Sequence, residues 1–373
     1  MSFRYASGIV KPGFNPLAAH TSTTYYDLYA WGSDSGNYGT LGIGVTTAYS
    51  SPKQVGSTEW ASISGGHTHN LALKVDGTMW SWGYNNDGQL GLGNRTNYSS
   101  PKQVGALTTW TSIAAGKFHM LAIAGGRLYG WGYNGQGSIG DGTRTTASSP
   151  VQVGSLTTWL KVAAGAYTSF SIKTDGTLWA WGGNSGGALG LGNRTYYSSP
   201  KQVGSLTTWA DIDDGQRHCM ALKTDGTLWG WGNNGNGQLG LSNTTLYSSP
   251  KQVGSLTTWS KISSGDYHTM GITTSGAISG WGYNGYGGLG LGNTTSISSP
   301  VQIGALTTWA NVSVGLYFTL ATKTDGKLWT WGYNGYGALG NGTTVDTSSP
   351  IQIGALTQWN RVSAATNHSF ALG

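Results

Sequence analysis

Glutamate is nearly missing from this chain of 373 residues: Glu59 is the single one, and charged residues of both signs make up only 9%. With so few strong helix formers and no stretch of apolar periodicity near 3.6, helices should be nearly absent. One cysteine, Cys219, excludes an internal disulfide framework. Long hydrophobic runs are lacking too. The start, MSFRYASGIVKPGFNPLAAH, has no uninterrupted apolar core between its charge and Pro12, so neither a signal peptide nor a membrane-inserting segment is read there. Apart from one aspartate cluster there are no paired carboxylates, which leaves general acid–base catalysis little to stand on.

What the chain has instead is glycine, 63 of it, and aromatic residues at 12%, more than its charged ones. That inversion points to Trp and Tyr carried on pleated sheet surfaces. The aromatics are periodic. Trp-Gly recurs at Trp31, Trp82, Trp131, Trp181, Trp231, Trp281 and Trp331, and Ser-Ser-Pro ends between them at Pro52, Pro101, Pro150, Pro200, Pro250, Pro300 and Pro350. A period near 50 means stacked units that cannot bury an apolar face alone. Within residues 101–150, PKQVG, TTWTSIAAG, HMLAIA and RLYGWG are each of strand length and bounded by turn residues. Asp-Gly at Asp175, Asp225 and Asp325 supplies the positive φ of a tight hairpin between the third and fourth.

Seven antiparallel sheets of four strands around an axis make an all-β, seven-bladed β-propeller. The chain ends on a strand without a hairpin partner, NHSFALG, and its first repeat begins on one without a predecessor, DLYAWG. Pairing Phe370–Leu372 with Leu28–Trp31 closes the ring and removes its open edge. The expected organisation is a leader over residues 1–27 and one propeller over 28–373.

The combination of GxxHxLAL, TDG, LWxWG, NGxGQLGLG and SSPxQV, repeated in register over residues 28–373, resembles the regulator of chromosome condensation repeat family. The resemblance implies the propeller fold but leaves function open, since that family's members act in nucleotide exchange on a small GTPase, ultraviolet perception in plants and inhibition of bacterial β-lactamases. Light sensing fits poorly: where the plant photoreceptor has Gly-Trp-Arg-His-Thr, this chain reads Gly215-Gln216-Arg217-His218-Cys219 and Gly265-Asp266-Tyr267-His268-Thr269. Exchange activity also fits poorly, because the even blade spacing leaves no room for the wedge that the resemblance implies for such factors. The resemblance is to a phage or bacterial member.

All 18 tryptophans occupy repeat positions, as expected of rings filling the wedges between blades. His69, His119, His218, His268 and His368 share one position, taken by Thr168 and Phe318 in the other blades, which favours a structural hydrogen bond over metal binding or base catalysis. Asp211, Asp213 and Asp214 stand where other blades carry Ser or Ala, and their repulsion requires exposure or a cation such as Arg217. The glycine-rich runs lack the following helix and Lys-Ser/Thr of a phosphate loop, so no cofactor is expected. Net charge is +6, but the lysines fall at two repeat positions spread around the ring, which argues against nucleic acid.

Call the strands of a blade a (around Trp110), b (HMLAIA), c (RLYGWG) and d (PKQVG). The a–b and c–d loops then emerge on one face, and b–c hairpins and d–a crossovers on the other. The second face is monotonous; the first varies from blade to blade. Of the 20 tyrosines, 15 are assigned to its loops, including Tyr38, Tyr84, Tyr133, Tyr283, Tyr286, Tyr333 and Tyr336. A surface of Tyr, Asn, Ser and Gly with occasional Arg has the make-up of a paratope. The binding-face candidates are Arg95, Tyr98, Phe118, Tyr167, Arg194, Tyr196, Tyr197, Asp213, Asp214, Arg217, Tyr267 and Tyr317. Tyr84, Tyr133, Tyr283 and Tyr333, at one repeat position, alternatively cap their own loop. The leader should leave from the monotonous face. These features lead to a non-enzymatic recognition propeller displayed on a virion, or otherwise cytoplasmic. It would be anchored through residues 1–27 and bind a host-surface protein or glycan. The alternatives are a soluble inhibitor or regulator and, more weakly, an exchange factor.

Overall fold

In the computed structural model, which describes residues 26–56 and 59–373, each repeat forms one four-stranded antiparallel sheet and the seven sheets make the expected ring. The expected leader, with His20, lies outside the described residues apart from Tyr26 and Asp27. Blades 1 to 6 occupy residues 60–103, 110–152, 159–202, 209–252, 259–302 and 309–353. In blade 2, strand a is Trp110–Ala115, b His119–Ala124, c Arg127–Gly132 and d Ala147–Gln152. Blade 7 is made from both ends of the chain. Leu28 pairs with Leu372, Ala30 with Phe370 and Gly32 with His368, in the register expected for closure. Asp27 and Gly373 exchange backbone hydrogen bonds, and Tyr26 bridges to Trp60 at the crossover end, so the described chain enters from that face.

The alternation of each strand sends one set of side chains to each neighbouring blade. Ala114, Leu121, Ile123 and Leu128 of blade 2, with Val153 just beyond its last strand, thus pack with Trp159, Val162 and Trp181 across the next seam. The seven Trp-Gly tryptophans are fully buried. Each indole Nε1 donates to a c–d loop carbonyl of the preceding blade at 2.8–3.0 Å, including Trp31 to Ala338 across the closure. The glycine-rich run supplies the complementary surface. At Gly290 (φ +72°) a Cβ would sit 2.8 Å from Trp331 Nε1, and at Gly340 (φ +76°) 2.6 Å from that of Trp31. Both the backbone conformation and the ring beneath it demand glycine.

Two expectations change. Strand d begins earlier than read: Tyr49, Tyr98, Tyr197 and Tyr247 are its first residues, so these four tyrosines leave the loop set. A pattern of Ser and Pro looked like a turn, but an outermost strand tolerates proline because its outward N–H has no ladder partner. The tryptophans also divide. Trp80, Trp179, Trp229 and Trp329 are half-buried at the margins of the seam clusters, and each lies under a lysine, with Lys223 Nζ 3.6 Å from the Trp229 centroid.

Candidate functional site

Each a–b loop has two residues between a small residue, glycine in six blades and Ala365 in blade 7, and strand b, and they point to different places. The first of the pair rings the mouth of an axial channel: His67, Lys117, Gln216, Asp266, Leu316 and Thr366 line it. Glycine precedes this position in six blades because the inner strands crowd together there. A Cβ on Gly215 would lie 2.2 Å from the Gly265 carbonyl. Lys117 Nζ donates to Gln216 Oε1 at 3.2 Å, reaching across blade 3. Burial pushes the Asp266 carboxyl up to about 7, against the pull of Lys117, a Gln216 hydrogen bond and Arg217. His67 is held down to about 4 by burial and by Lys117. These mouth residues were not among the candidates, although variation at the first loop position signalled them.

The second residue of the pair faces outward and carries the aromatics. Phe118 and Tyr167 stack at 5.0 Å with Tyr133 against both. On the far side Tyr267 and Tyr317 stack at 5.2 Å, 5° from parallel. Tyr283, Tyr286, Tyr333 and Tyr336 continue from them through contacts of 5.0–6.2 Å, so six tyrosines form one belt over blades 5 and 6. Tyr267, Tyr286 and Tyr336 are 36%, 39% and 48% exposed. Tyr283 and Tyr333 also fold over their own loops, with hydroxyls above Gly285 and Gly335, so the capping role holds for them as well. Burial, then Tyr267, pushes the Tyr317 hydroxyl up to about 12. Tyr286 and Tyr336 were read as loop tyrosines but left out of the candidates; their signal is NGYG, found in blades 5 and 6 alone.

The remaining candidates scatter. Arg95, Arg194 and Tyr196 are exposed on c–d loops, and Arg217 beside the mouth. Tyr98 and Tyr197 stand on outer strands, under Lys102 and Lys201, away from the belt. Asp213 and Asp214 do not face outward, although Asp214 also lines the channel mouth. They end strand a of blade 4, along a cavity of about 260 Å³ on the axis. Asp213 accepts from the Ser264 backbone at 2.6 Å, doing in blade 4 what Ser263 and Ser313 do for the following seams. Asp214 accepts from Thr168, and the partner of Asp211 is Lys161, not Arg217. Burial raises Asp213 to about 6 and Asp214 well above the carboxylate range. Among the described residues, no group of three or more His, Cys, Asp or Glu is arranged to hold a metal ion.

Four of the five repeat histidines hydrogen-bond across seams, His368 to Asn70 among them, while His69 is buried with neither ring nitrogen partnered. His119, His218 and His268 bond through Nε2 to a Ser or Thr hydroxyl of the next blade at 2.8–3.0 Å. Where that hydroxyl donates to a carbonyl, as Ser169 and Thr319 do, Nε2 must be the donor. Burial lowers all five repeat histidines to about 3. Cys219 is buried and its thiol is pushed well up by that burial. No helix among the described residues is long and apolar enough to cross a membrane.

A search of curated proteins finds no match for the chain. Solved structures do match. Prp20p of Saccharomyces cerevisiae, reported with its binding properties to Gsp1p and histones, is 22% identical with a TM-score of 0.85 over 94% of this chain and 92% of that one. Yeast Prp20 bound to Kap60 is 22% identical with a TM-score of 0.86, over 100% and 94%. Human WBSCR16 is 21% identical with a TM-score of 0.84, over 93% and 98%. Identities this low show a shared fold. The family models reach further: the RCC1-like domain matches residues 155–373, and the regulator of chromosome condensation (RCC1) repeat matches residues 27–73, 76–123 and 125–172. With more than half of its length matched by one family model and most of residues 27–154 by the repeat itself, the chain belongs to the regulator of chromosome condensation repeat family.

Proposed function

We propose that the chain is a non-enzymatic recognition propeller that binds a protein partner through the face of its a–b and c–d loops. The observation that carries this reading is the tyrosine belt over blades 5 and 6. A contiguous aromatic surface with three of its six rings more than a third exposed is the kind of patch that marks a protein contact site. A role without catalysis is supported by where the reactive side chains are spent, since the repeat histidines are buried, four of the five bonded across seams, and Cys219 is buried in strand b of blade 4. Protein partnership draws further support from the similar yeast fold, reported bound to Kap60.

Comparative affinity capture tests the reading. Replacing Tyr267, Tyr317 and Tyr336 together with Ala should weaken retention of bound proteins by about 2 kcal/mol or more. Replacing Asp225 and Asp325 on the opposite hairpins should leave it unchanged. The reverse pattern would make the crossover face the working surface. Display on a virion, with a host-surface protein or glycan as target, is the narrower form of this proposal; copurification of the chain with particles decides it. A second reading, exchange activity on a small GTPase, is favoured by the likeness to Prp20p, and absence of any acceleration of nucleotide release would remove it.

A further inference from the structure

The loop face is divided by charge, and the division coincides with the tyrosines. Its lysines and arginines, Arg95, Lys117, Arg144, Arg194 and Arg217, all lie in blades 1 to 4, and the loops of blades 5, 6 and 7 have none. Strand d does not follow that division around the whole ring, being lysine in blades 1, 3, 4 and 7 (Lys102, Lys201, Lys251 and Lys53) and Val151 in blade 2. Both belt blades nevertheless lack the lysine, with Val301 in blade 5 and Ile351 in blade 6. Elsewhere in the ring the chain covers its own aromatic faces with lysine, as Lys251 does Tyr247. Among the described residues, those lysine–ring contacts fall on tryptophans, on Phe118 and on Tyr49, Tyr98, Tyr197 and Tyr247, and on none of the six belt rings.

One carboxylate flanks the belt at its outer end, whereas Asp266, next in sequence to Tyr267, is turned to the channel mouth under the pull of Lys117 and Arg217. Asp346, exposed at the end of the blade 6 loop, accepts from the Asn334 backbone at 2.7 Å. It lies close enough to Tyr333 to add to burial and Tyr336 in raising that hydroxyl. Neutral phenol rings set at 53–81° to one another present both faces and edges, and their faces attract a cation through the ring quadrupole.

Resting on the loop-face reading, the geometry points to a cationic peptide segment as the ligand of the belt, its Lys or Arg side chains placed over Tyr267, Tyr286 and Tyr336 and one end drawn to Asp346. A net charge of +6 on the chain opposes indiscriminate attraction of such a peptide, so binding would report the local site.

Titration calorimetry on the full chain with a tetra-arginine peptide, a tetra-glutamate peptide and cellohexaose tests this. Tetra-arginine should bind, and the Tyr286→Ala/Tyr336→Ala variant should weaken it about tenfold or more. Tyr286→Phe/Tyr336→Phe should bind as well as the parent, because the ring face and not the hydroxyl is the contact. Arg95→Ala/Arg194→Ala should change nothing. Unaltered tetra-arginine binding in the alanine variant, loss in the phenylalanine variant, or preference for cellohexaose would each overturn the assignment. Tetra-glutamate binding that disappears with the arginines would overturn it too, while leaving recognition by the loop face intact. Loss of belt dependence in the capture experiment would instead remove that broader reading.

Discussion

Trp181 shows what one residue does in this molecule. Its ring is fully buried, touches Trp159 and hands its indole proton to Ser138 of the preceding blade at 2.9 Å. Trp181→Ala should therefore cost about 3–5 kcal/mol, read from the denaturant midpoint; a loss under about 1 kcal/mol would mean the ring is not core. Asp213 behaves in the opposite sense. Its folded pKa, about 6, lies above the ordinary carboxylate value. Its contribution to stability is therefore full below about pH 4 and lost as pH rises through 6. Asn keeps the acceptor for the Ser264 backbone without the charge. Asp213→Asn should raise the melting midpoint at pH 8 by the equivalent of about 1–3 kcal/mol and give no advantage at pH 4. Equal shifts at both pH values would show that the carboxylate is not strained.

At the scale of an element, the c–d loop is built around one buried asparagine. Asn284 Nδ2 donates to the carbonyls of Asn293 and Thr295 at 3.0 and 3.1 Å, and its Oδ1 accepts from the Leu289 backbone at 2.9 Å. Asn284→Ala strands these groups and should destabilise the chain by about 2–4 kcal/mol. Amide exchange should accelerate first in residues 283–296, and uniform acceleration across all blades would contradict a local organising role. The hairpins are cheaper. Asp225 Oδ1 accepts from the Thr227 backbone and hydroxyl on an open surface, and Asp225→Ala should cost about 1 kcal/mol in urea unfolding.

The whole ring carries a pH liability that follows from its symmetry. Five repeat histidines are buried neutral with pKa values near 3, so each contributes stability that is full above 6.5 and lost as pH falls towards 3. Each costs on the order of 1.4 kcal/mol per pH unit in that window. The raised carboxyls Asp213, Asp214 and Asp266 act the other way over part of the same range, but five groups outweigh three. Thermal midpoints should fall steeply between about pH 6 and pH 4, and a flat profile would show that the seam histidines accept protons without opening.

The period of Trp-Gly and Ser-Ser-Pro, the Asp-Gly hairpins and the two unpaired end strands determined the ring, its blade number and its closure, because each is a local signal repeated seven times. The Trp-Gly rings and the repeat histidines were legible for the same reason. What one repeat cannot show is its neighbour. The extra length of strand d, the placing of Asp213 and Asp214 on the axis and the pairing of Asp211 with Lys161 depend on inter-blade distances that no spacing in the sequence records. Tyr98 and Tyr197 stood beside Tyr267 among the candidates, yet each opens an outer strand d, paired with Gly83 and Gly182. Tyr286 and Tyr336, 50 residues apart, became parts of one belt because two blades stand side by side. The tertiary structure alone decided which aromatics share a surface, since adjacency around a closed ring is set by the packing of the seams.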